Sequence, residues 1–474
     1  MVKNHHDIWD IVDGKSAAYF ELSDTVWDHP ETNFEEYASS DAHAAMLEAE
    51  GFRVSRGVAG LPTTVMGEAG DEGPIIAILG EYDALPGLSQ MAGVAEELPK
   101  EAGGHGHGCG HNLLGTGSLL AVAAVKDYLA AHGIKGRVRY YGCPAEEGGS
   151  GKGFMVREGL FDDVDIAFCW HPAPFAGVND PVSIACNEIT FHFTGRAARA
   201  ASAPHLGRSA LDAVELMNVC ANYMREHMPS SARIHYAVMD TGGFAPNVVQ
   251  AKAVVRYLIR ARSLPEMQSL LERVKKIADG AALMTETTVR SEIVSGDANL
   301  IGNVPLELLM QRELERLGPP VFDEKDQETA RRFQATLTKE DISDAFRRFG
   351  AEPKADLALC DAIYQPYHGD NSLVGSTDVG TVSWVVPTVQ MRGATCAIGT
   401  PLHSWQMVAQ GKLPAAHKGM AHAAKVMGST AVELFRNPDR IAEAKRDHAR
   451  KLDGVTFVNP IPDSVQPALP VETK

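Results

Sequence analysis

The sequence predicts an α/β fold, and three features predict it. Short apolar strand-like runs alternate with helix-like stretches, polar residues follow the strands at once, and a middle stretch of different texture interrupts the series. Ile75-Ile76-Ala77-Ile78-Leu79 is a continuous apolar run of the kind buried on both faces of a parallel sheet, and Glu81-Tyr82-Asp83 follows it directly. Residues 113–131 read as a helix closed by His132-Gly133, where glycine accepts the left-handed conformation that ends a helix. The next strands are 137–141, ending at Gly142-Cys143-Pro144, and 165–169, ending at Trp170-His171-Pro172. A late strand, 394–398, runs into Gly399-Thr400-Pro401-Leu402-His403.

The middle stretch reads as β-α-β-β-α: a strand at 188–194, a helix at 209–228, strands at 233–238 and 248–260, and a helix at 265–284. Leu211, Val214, Met217, Ala221 and Met224 fall on one helical stripe. The expectation is a catalytic domain in two parts, 1–186 and 299–455, with a small domain inserted at 187–298 and a tail at 456–474. Residues 319–347 are charged and lack a clear stripe, so they read as a surface excursion. The tail, with four prolines between 459 and 474, reads as surface too.

Composition narrows the function. Among 474 residues, 61 acidic against 44 basic side chains give a net charge of −17. This argues against sequence-independent nucleic-acid binding and against a polybasic membrane-surface protein. No window approaches 18 uncharged apolar residues, and the N-terminus shows no secretory pattern. Seven scattered cysteines suit a reducing compartment, and the expectation is a cytoplasmic protein.

Chemistry gathers after the strands. Gly104-His105-Gly106-His107-Gly108-Cys109-Gly110-His111 precedes a helix, Glu146-Glu147 follows a strand, and His171 and His403 follow two others. Sites in open α/β sheets form outside the carboxyl ends of the strands, so these four loops are expected to converge. Thiolate, imidazole and carboxylate are ligand types for zinc or a similar divalent ion. Of two adjacent glutamates, one can bind metal while the other stays free as a general base. Other motifs fail. Gly148-Gly149-Ser150-Gly151-Lys152-Gly153 lacks the Walker spacing, Gly207-Arg208-Ser209-Ala210-Leu211 lacks the last glycine of a nucleophile elbow, and no G-x-G-x-x-G joins a strand to a helix.

Gly-His-Gly-Cys-Gly-His-Asn at 106–112, Pro-Ala-Glu-Glu-Gly at 144–148, His171-Pro172 and Gly-Thr-Pro-Leu-His-Ser-Trp at 399–405 together resemble the amidohydrolase branch of the M-twenty metallopeptidases. Motifs at 81–87, 203–213, 242–248 and 375–378 match as well, and the likeness is nearest to the p-aminobenzoyl-glutamate hydrolase B-subunit-like branch and its dipeptidase-like relatives. The resemblance implies a di-metal exopeptidase-type catalytic domain with an inserted α+β lid that also makes a homodimer. It implies Cys109, His111, Glu147, His171 and His403 as ligands of two divalent ions, Mn2+ or Zn2+, with Glu146 as general base and Asp83 in support behind them. It further implies Asn247 and Arg260, thirteen residues apart, as holders of a substrate carboxylate.

One departure stands out. The family carries a lid histidine that reaches a neighbouring subunit's site to stabilise the oxyanion, and here Arg199 occupies its position. A change of substrate preference, an impaired enzyme and an introduced substitution all fit that exchange. The expected activity is hydrolysis of N-acyl or aroyl amino acids such as p-aminobenzoyl-glutamate. A dipeptidase and a catalytically impaired metal-binding homologue are the alternatives.

Overall fold

The computed structural model describes residues 6–178, 182–354, 356–365 and 375–470, so the extreme N-terminus and the last four residues of the expected tail lie outside the described residues. The chain begins with α1 (His6–Asp28), α2 (Tyr37–Ala49), β1 (Arg53–Arg56), β2 (Val65–Ala69), β3 (Ile75–Glu81), α3 (His111–His132), β4 (Arg137–Cys143), α4 (Gly151–Arg157) and β5 (Ile166–Ala173). It continues through β6 (Ala185–Thr194), α5 (Ala210–Met224), β7 (Arg233–Asp240), β8 (Lys252–Ala261), α6 (Leu264–Thr285) and β9 (Thr288–Asp297). The last part holds α7 (Val304–Leu317), α8 (Glu324–Gln334), α9 (Lys339–Arg348), α10 (Val379–Ser383), β10 (Thr388–Ala394), α11 (Trp405–Gln410), α12 (Pro414–Arg436) and α13 (Pro438–Lys451).

Six strands form one mixed sheet in the order β1-β2-β4-β3-β5-β10, in which β4, β3, β5 and β10 are mutually parallel. The alternation along β3 explains its unbroken apolar run. Ile76 and Ile78 face α1, α3 and α12, whereas Ile75, Ala77 and Leu79 face α4 and α10. Because side chains repeat every two residues, Glu81 at the end of β3 falls on the α4/α10 face. The same count along β5 and β10 puts Cys169, His171, Gln390 and Arg392 on that face, at the carboxyl ends of the strands. Gly133, with φ +61, closes α3 as expected. By length and composition α3 is the one helix among the described residues that could cross a membrane, and it is buried in this core.

The second sheet, antiparallel and ordered β7-β8-β6-β9, is built wholly from residues 185–297 and packs its own core against α5 and α6. Two differences from the sequence reading have simple causes. The strand β9 is hidden in the sequence because it is an edge strand whose first five residues are largely exposed, so apolar alternation is absent. The supposed excursion at 319–347 contains two capped helices, α8 and α9, anchored by the buried side chains of Ala330, Phe333 and Phe346. Asp323 and Thr338 each form a reciprocal capping box with the aspartate three residues on, a signal that charge content masked.

The stretch read as a surface tail also returns to the protein. Ile461 is fully buried beside Phe154 and Met155, Asn187 Nδ2 donates to the carbonyl of Pro460 at 2.9 Å, and Arg157 donates to the carbonyls of Pro462 and Val465.

Candidate metal centre

Five segments bring polar side chains to the carboxyl ends of β3, β4 and β5. The first is the loop before α3. Gly110 has φ +77 and lies so close to Pro172 that a Cβ there would stand 3.0 Å from its ring, while a Cβ on Gly106 would meet the carbonyl oxygen of Leu88 at 2.1 Å. The interleaved glycines therefore let the loop fold tightly enough to deliver Cys109 and His111 together. The second segment is 145–150, whose ends, Ala145 and Ser150, both adopt left-handed backbone at φ +55 and +53. Strain at non-glycine positions is retained where the surroundings over-determine it, and here it frames Glu146 and Glu147. His403 is likewise left-handed, φ +59, and its N–H donates to the carbonyl of Gly108 at 2.7 Å, tying the late loop to the first.

The imidazoles share one arrangement. The Nδ1–H of His111 donates to Asp83 Oδ1 at 2.8 Å, and the Nδ1–H of His171 donates to the carbonyl of Pro172 at 2.8 Å. Each Nε2 lone pair is thereby aimed into the cluster, the arrangement that metal-binding histidines use. Asp83 also accepts the backbone N–H of Glu147 at 2.9 Å, so one buried carboxylate orients two neighbouring groups. Cys109 Sγ lies 3.3 Å from His171 Nε2, and His403 Nε2 lies 3.3 Å from Glu147 Oε2. Three overlapping sets have donor atoms within 4.8 Å of one another: Cys109, His111 and His171; Cys109, Glu147 and His403; and Glu81, His111 and Glu146.

The donors fit a cation. Among the described residues, His111 Nε2 and Glu147 Oε1 are buried polar atoms without a hydrogen-bond partner, a costly state unless an ion takes up both lone pairs. Electrostatics divides the two glutamates. Burial, then the charges of Glu81 and Glu147, holds the Glu146 carboxyl well above the usual carboxylate range. Burial pushes Glu147 upward as well, but its contacts with His403 and His111 leave it below that range. Burial also lowers His171 to about 3, with Arg392 contributing, and raises the Cys109 thiol.

Cys109, His111, Glu146, Glu147, His171, His403 and Asp83 thus lie in one cluster. His107, from the same glycine-rich run, does not join it. Its Nε2 meets the carbonyl of Val26 on α1 at 3.0 Å, and burial keeps it neutral, near 4. The structure does not bring Asn247 and Arg260 together within one chain. Asn247 is exposed in a loop whose backbone pairs with 198–200, beside the exposed Arg199. Arg260 sits near the other end of β8, opposite Cys186, with its Nε buried and unpaired among the described residues. The eight residue-to-residue steps from Lys252 to Arg260 span about 26 Å of extended chain, too far for one carboxylate to bridge. A shared grip by these two residues requires two chains.

The sequence reading missed three residues beside the cluster. Lys152 and Asp378, both fully buried, form an ion pair at 2.7 Å, and Lys152 also meets Glu81 at 2.6 Å. Arg392 lies in register with His171 on the same sheet face and feels the charges of Cys109, Cys169, Glu146 and Glu81. The available signal was the Glu81 carboxylate ending a wholly apolar strand. Lys152 was hidden inside a glycine run whose likeness to a phosphate loop failed on spacing.

A profile of peptidase family M20/M25/M40 matches residues 77–344. The chain is 45% identical to the B-subunit of p-aminobenzoyl-glutamate hydrolase from Escherichia coli (strain K12), over 99% of both chains. It is 28% identical to Xaa-Arg dipeptidase of Mus musculus, over 92% of this chain and 90% of that one. Among solved structures, a dinuclear metal-binding peptidase of the M20 family from Bacillus subtilis superposes with a TM-score of 0.56 at 17% identity, over 90% of this chain and 99% of that chain.

Proposed function

The chain belongs to peptidase family M20/M25/M40, and from that premise we propose that it hydrolyses the amide bond of N-acyl or aroyl amino acids, with p-aminobenzoyl-glutamate as its leading substrate. The observation that carries this reading is the largely buried Glu146 carboxyl set against overlapping groups of thiol, imidazole and carboxylate donors, two of whose atoms, His111 Nε2 and Glu147 Oε1, have no hydrogen-bond partner among the described residues. The full-length relative at 45% identity supports the substrate class.

Cys109, His111, Glu147, His171 and His403 would hold two divalent ions, manganese or zinc, and Asp83 would keep His111 and Glu147 in place through the two hydrogen bonds it accepts. When bound, such ions polarise the scissile carbonyl and acidify water. Glu146 takes the proton of the attacking water and returns it to the leaving amine nitrogen, a task that suits a carboxyl held high by burial. Arg260 receives the free carboxylate of the amino-acid portion as a bidentate guanidinium partner.

Asn247 and Arg199 act from the lid of a second copy in this reading, which joins the long separation along β8 to a homodimer. Two features support such a dimer. The edge strand β7 leaves Tyr236, Val238 and Met239 exposed, and α5 exposes Leu216, Val219 and Tyr223. An open edge strand beside an apolar helix face is a surface that closed two-fold pairing covers. A cytoplasmic location goes with the seven free thiols, since Cys109 must stay reduced to bind metal.

Arg199 favours a second reading, an impaired homologue that binds metal and turns over slowly. Purified protein supplied with Mn2+ or Zn2+ and tested on p-aminobenzoyl-glutamate, N-acyl amino acids and dipeptides separates the readings. Release of p-aminobenzoate supports the first. Turnover that emerges only in Arg199→His supports the second, and no turnover by either protein on any substrate overturns the proposal.

A further inference from the structure

Lys152 stands at the start of α4 with its ammonium fully buried. Its Nζ lies 2.7 Å from Asp378 Oδ1 and 2.6 Å from Glu81 Oε1, and its backbone N–H donates to the other oxygen of Asp378 at 2.9 Å. Asp378 therefore grips Lys152 at two points, and Lys152 grips one oxygen of Glu81. A single aspartate would suffice to neutralise the lysine, so the second carboxylate calls for its own explanation.

That explanation lies at the other oxygen. Glu81 Oε2 is 3.2 Å from His111 Nε2, and Glu146 Oε2 is 3.9 Å from the same nitrogen. His111 donates its Nδ1–H to Asp83, so in the neutral imidazole Nε2 carries a lone pair, and it has no hydrogen-bond partner among the described residues. Two acceptors facing each other at this distance need a proton or a metal ion between them, and a divalent ion that displaces the proton meets both lone pairs. Lys152 is committed to the opposite oxygen and does not fill that role. The side chains of Glu81, Asp83, Glu146, Glu147 and Asp378 crowd this point against Lys152 and Arg392, a setting rich in the hard oxygen donors that a divalent ion takes.

We propose that Glu81 is a further carboxylate ligand of the metal centre, binding beside His111 while Glu146 stays free as the base, and that Lys152 is the positioning residue that fixes Glu81 there from a base anchored by Asp378. This assignment rests on the metal-centre reading above and extends its ligand set beyond the five residues of the motifs. It also gives Lys152 a reason to be buried: the ammonium pins one oxygen of Glu81 so that the other stays directed at His111.

The test uses the full-length protein stripped with a chelator and titrated calorimetrically with Mn2+ alone, alongside the visible absorption spectrum of the protein loaded with Co2+. Glu81→Gln keeps the size of the side chain and removes its charge. Glu81→Asp keeps the charge facing Lys152 but shortens the reach toward His111, and it decides the matter if Glu81→Gln fails to fold. Both variants are expected to weaken one Mn2+-binding step about ten- to a hundredfold and to change the Co2+ spectrum. Lys152→Met is expected to change the spectrum as well, because its loss frees Glu81 to reorient. Wild-type affinities and a wild-type spectrum in a folded Glu81 variant would overturn the assignment while leaving the five-residue centre standing. Failure of the wild-type protein to bind Mn2+ at all would overturn the centre itself.

Discussion

Asp83→Asn is the sharpest probe of how the centre is organised. The Asp83 carboxylate is buried and accepts two hydrogen bonds, from His111 Nδ1–H at 2.8 Å and from Glu147 N–H at 2.9 Å. An asparagine of the same shape offers one acceptor oxygen, and its amide group faces one of these donors with a donor of its own. The variant therefore loses one hydrogen bond to a charged acceptor, worth about 1.5–3 kcal/mol. At about 1.4 kcal/mol per decade that is a ten- to hundredfold loss of metal affinity, in line with the usual effect of removing such an orienting partner. Competition between the stripped protein and a chelator of known affinity reads this directly. The reasoning is refuted if folded Asp83→Asn binds Mn2+ within about threefold of wild type, a gap well below one lost charged hydrogen bond.

Three further outcomes follow from the geometry. Arg199→His is expected to leave kcat unchanged or lower if the arginine itself stabilises the oxyanion, as the leading proposal has it; a rise of about a hundred- to a thousandfold with little change in KM, the range associated with one oxyanion donor, would establish the impaired homologue instead. Mixing inactive Asn247→Ala and Arg260→Ala proteins under conditions that exchange subunits should restore about a quarter of the wild-type sites if each site draws on two chains of a two-fold dimer. No recovery would place both residues in one chain's site. The metal-free protein should lose stability as pH falls below about 6.5. Burial holds His43 near 3 and His107 and His422 near 4, so the unfolded chain binds more protons below the ordinary histidine value. Each fully buried imidazole then costs about 1.4 kcal/mol per pH unit until its folded value is reached. Thermal melts between pH 7 and 5 check this, and a flat Tm across that range would contradict it.

Much of the centre was legible in the sequence because its residues come in short motifs with backbone signatures. The glycines interleaved with His107, Cys109 and His111, the Glu146-Glu147 pair after β4, and His171 near the end of β5 each mark the carboxyl end of a strand. The unbroken apolar run from Ile75 to Leu79 revealed a strand buried on both faces, and that strand positions Glu81. What stayed hidden depends on long-range partners. Lys152 looks like a surface residue until Glu81 and Asp378, 71 and 226 residues away, close on it. Arg392 gains meaning only from its register beside His171. The strand β9 and the helices α8 and α9 show too little apolar surface for periodicity to reveal, and they are fixed by pairing with β6 and by a few buried anchors. The thirteen-residue spacing of Asn247 and Arg260 suggested one binding pair, whereas an extended β8 holds them apart.

The central claim is that Glu146 serves as the proton-transfer base of a metal-dependent amidohydrolase. The measurement that tests it most directly compares p-aminobenzoate release from p-aminobenzoyl-glutamate by the wild-type and Glu146→Gln proteins, each shown to carry the same Mn2+ content. The account predicts a drop in kcat of about 10²–10⁴ with metal content unchanged. Hydrolysis by Glu146→Gln at the wild-type rate would contradict it.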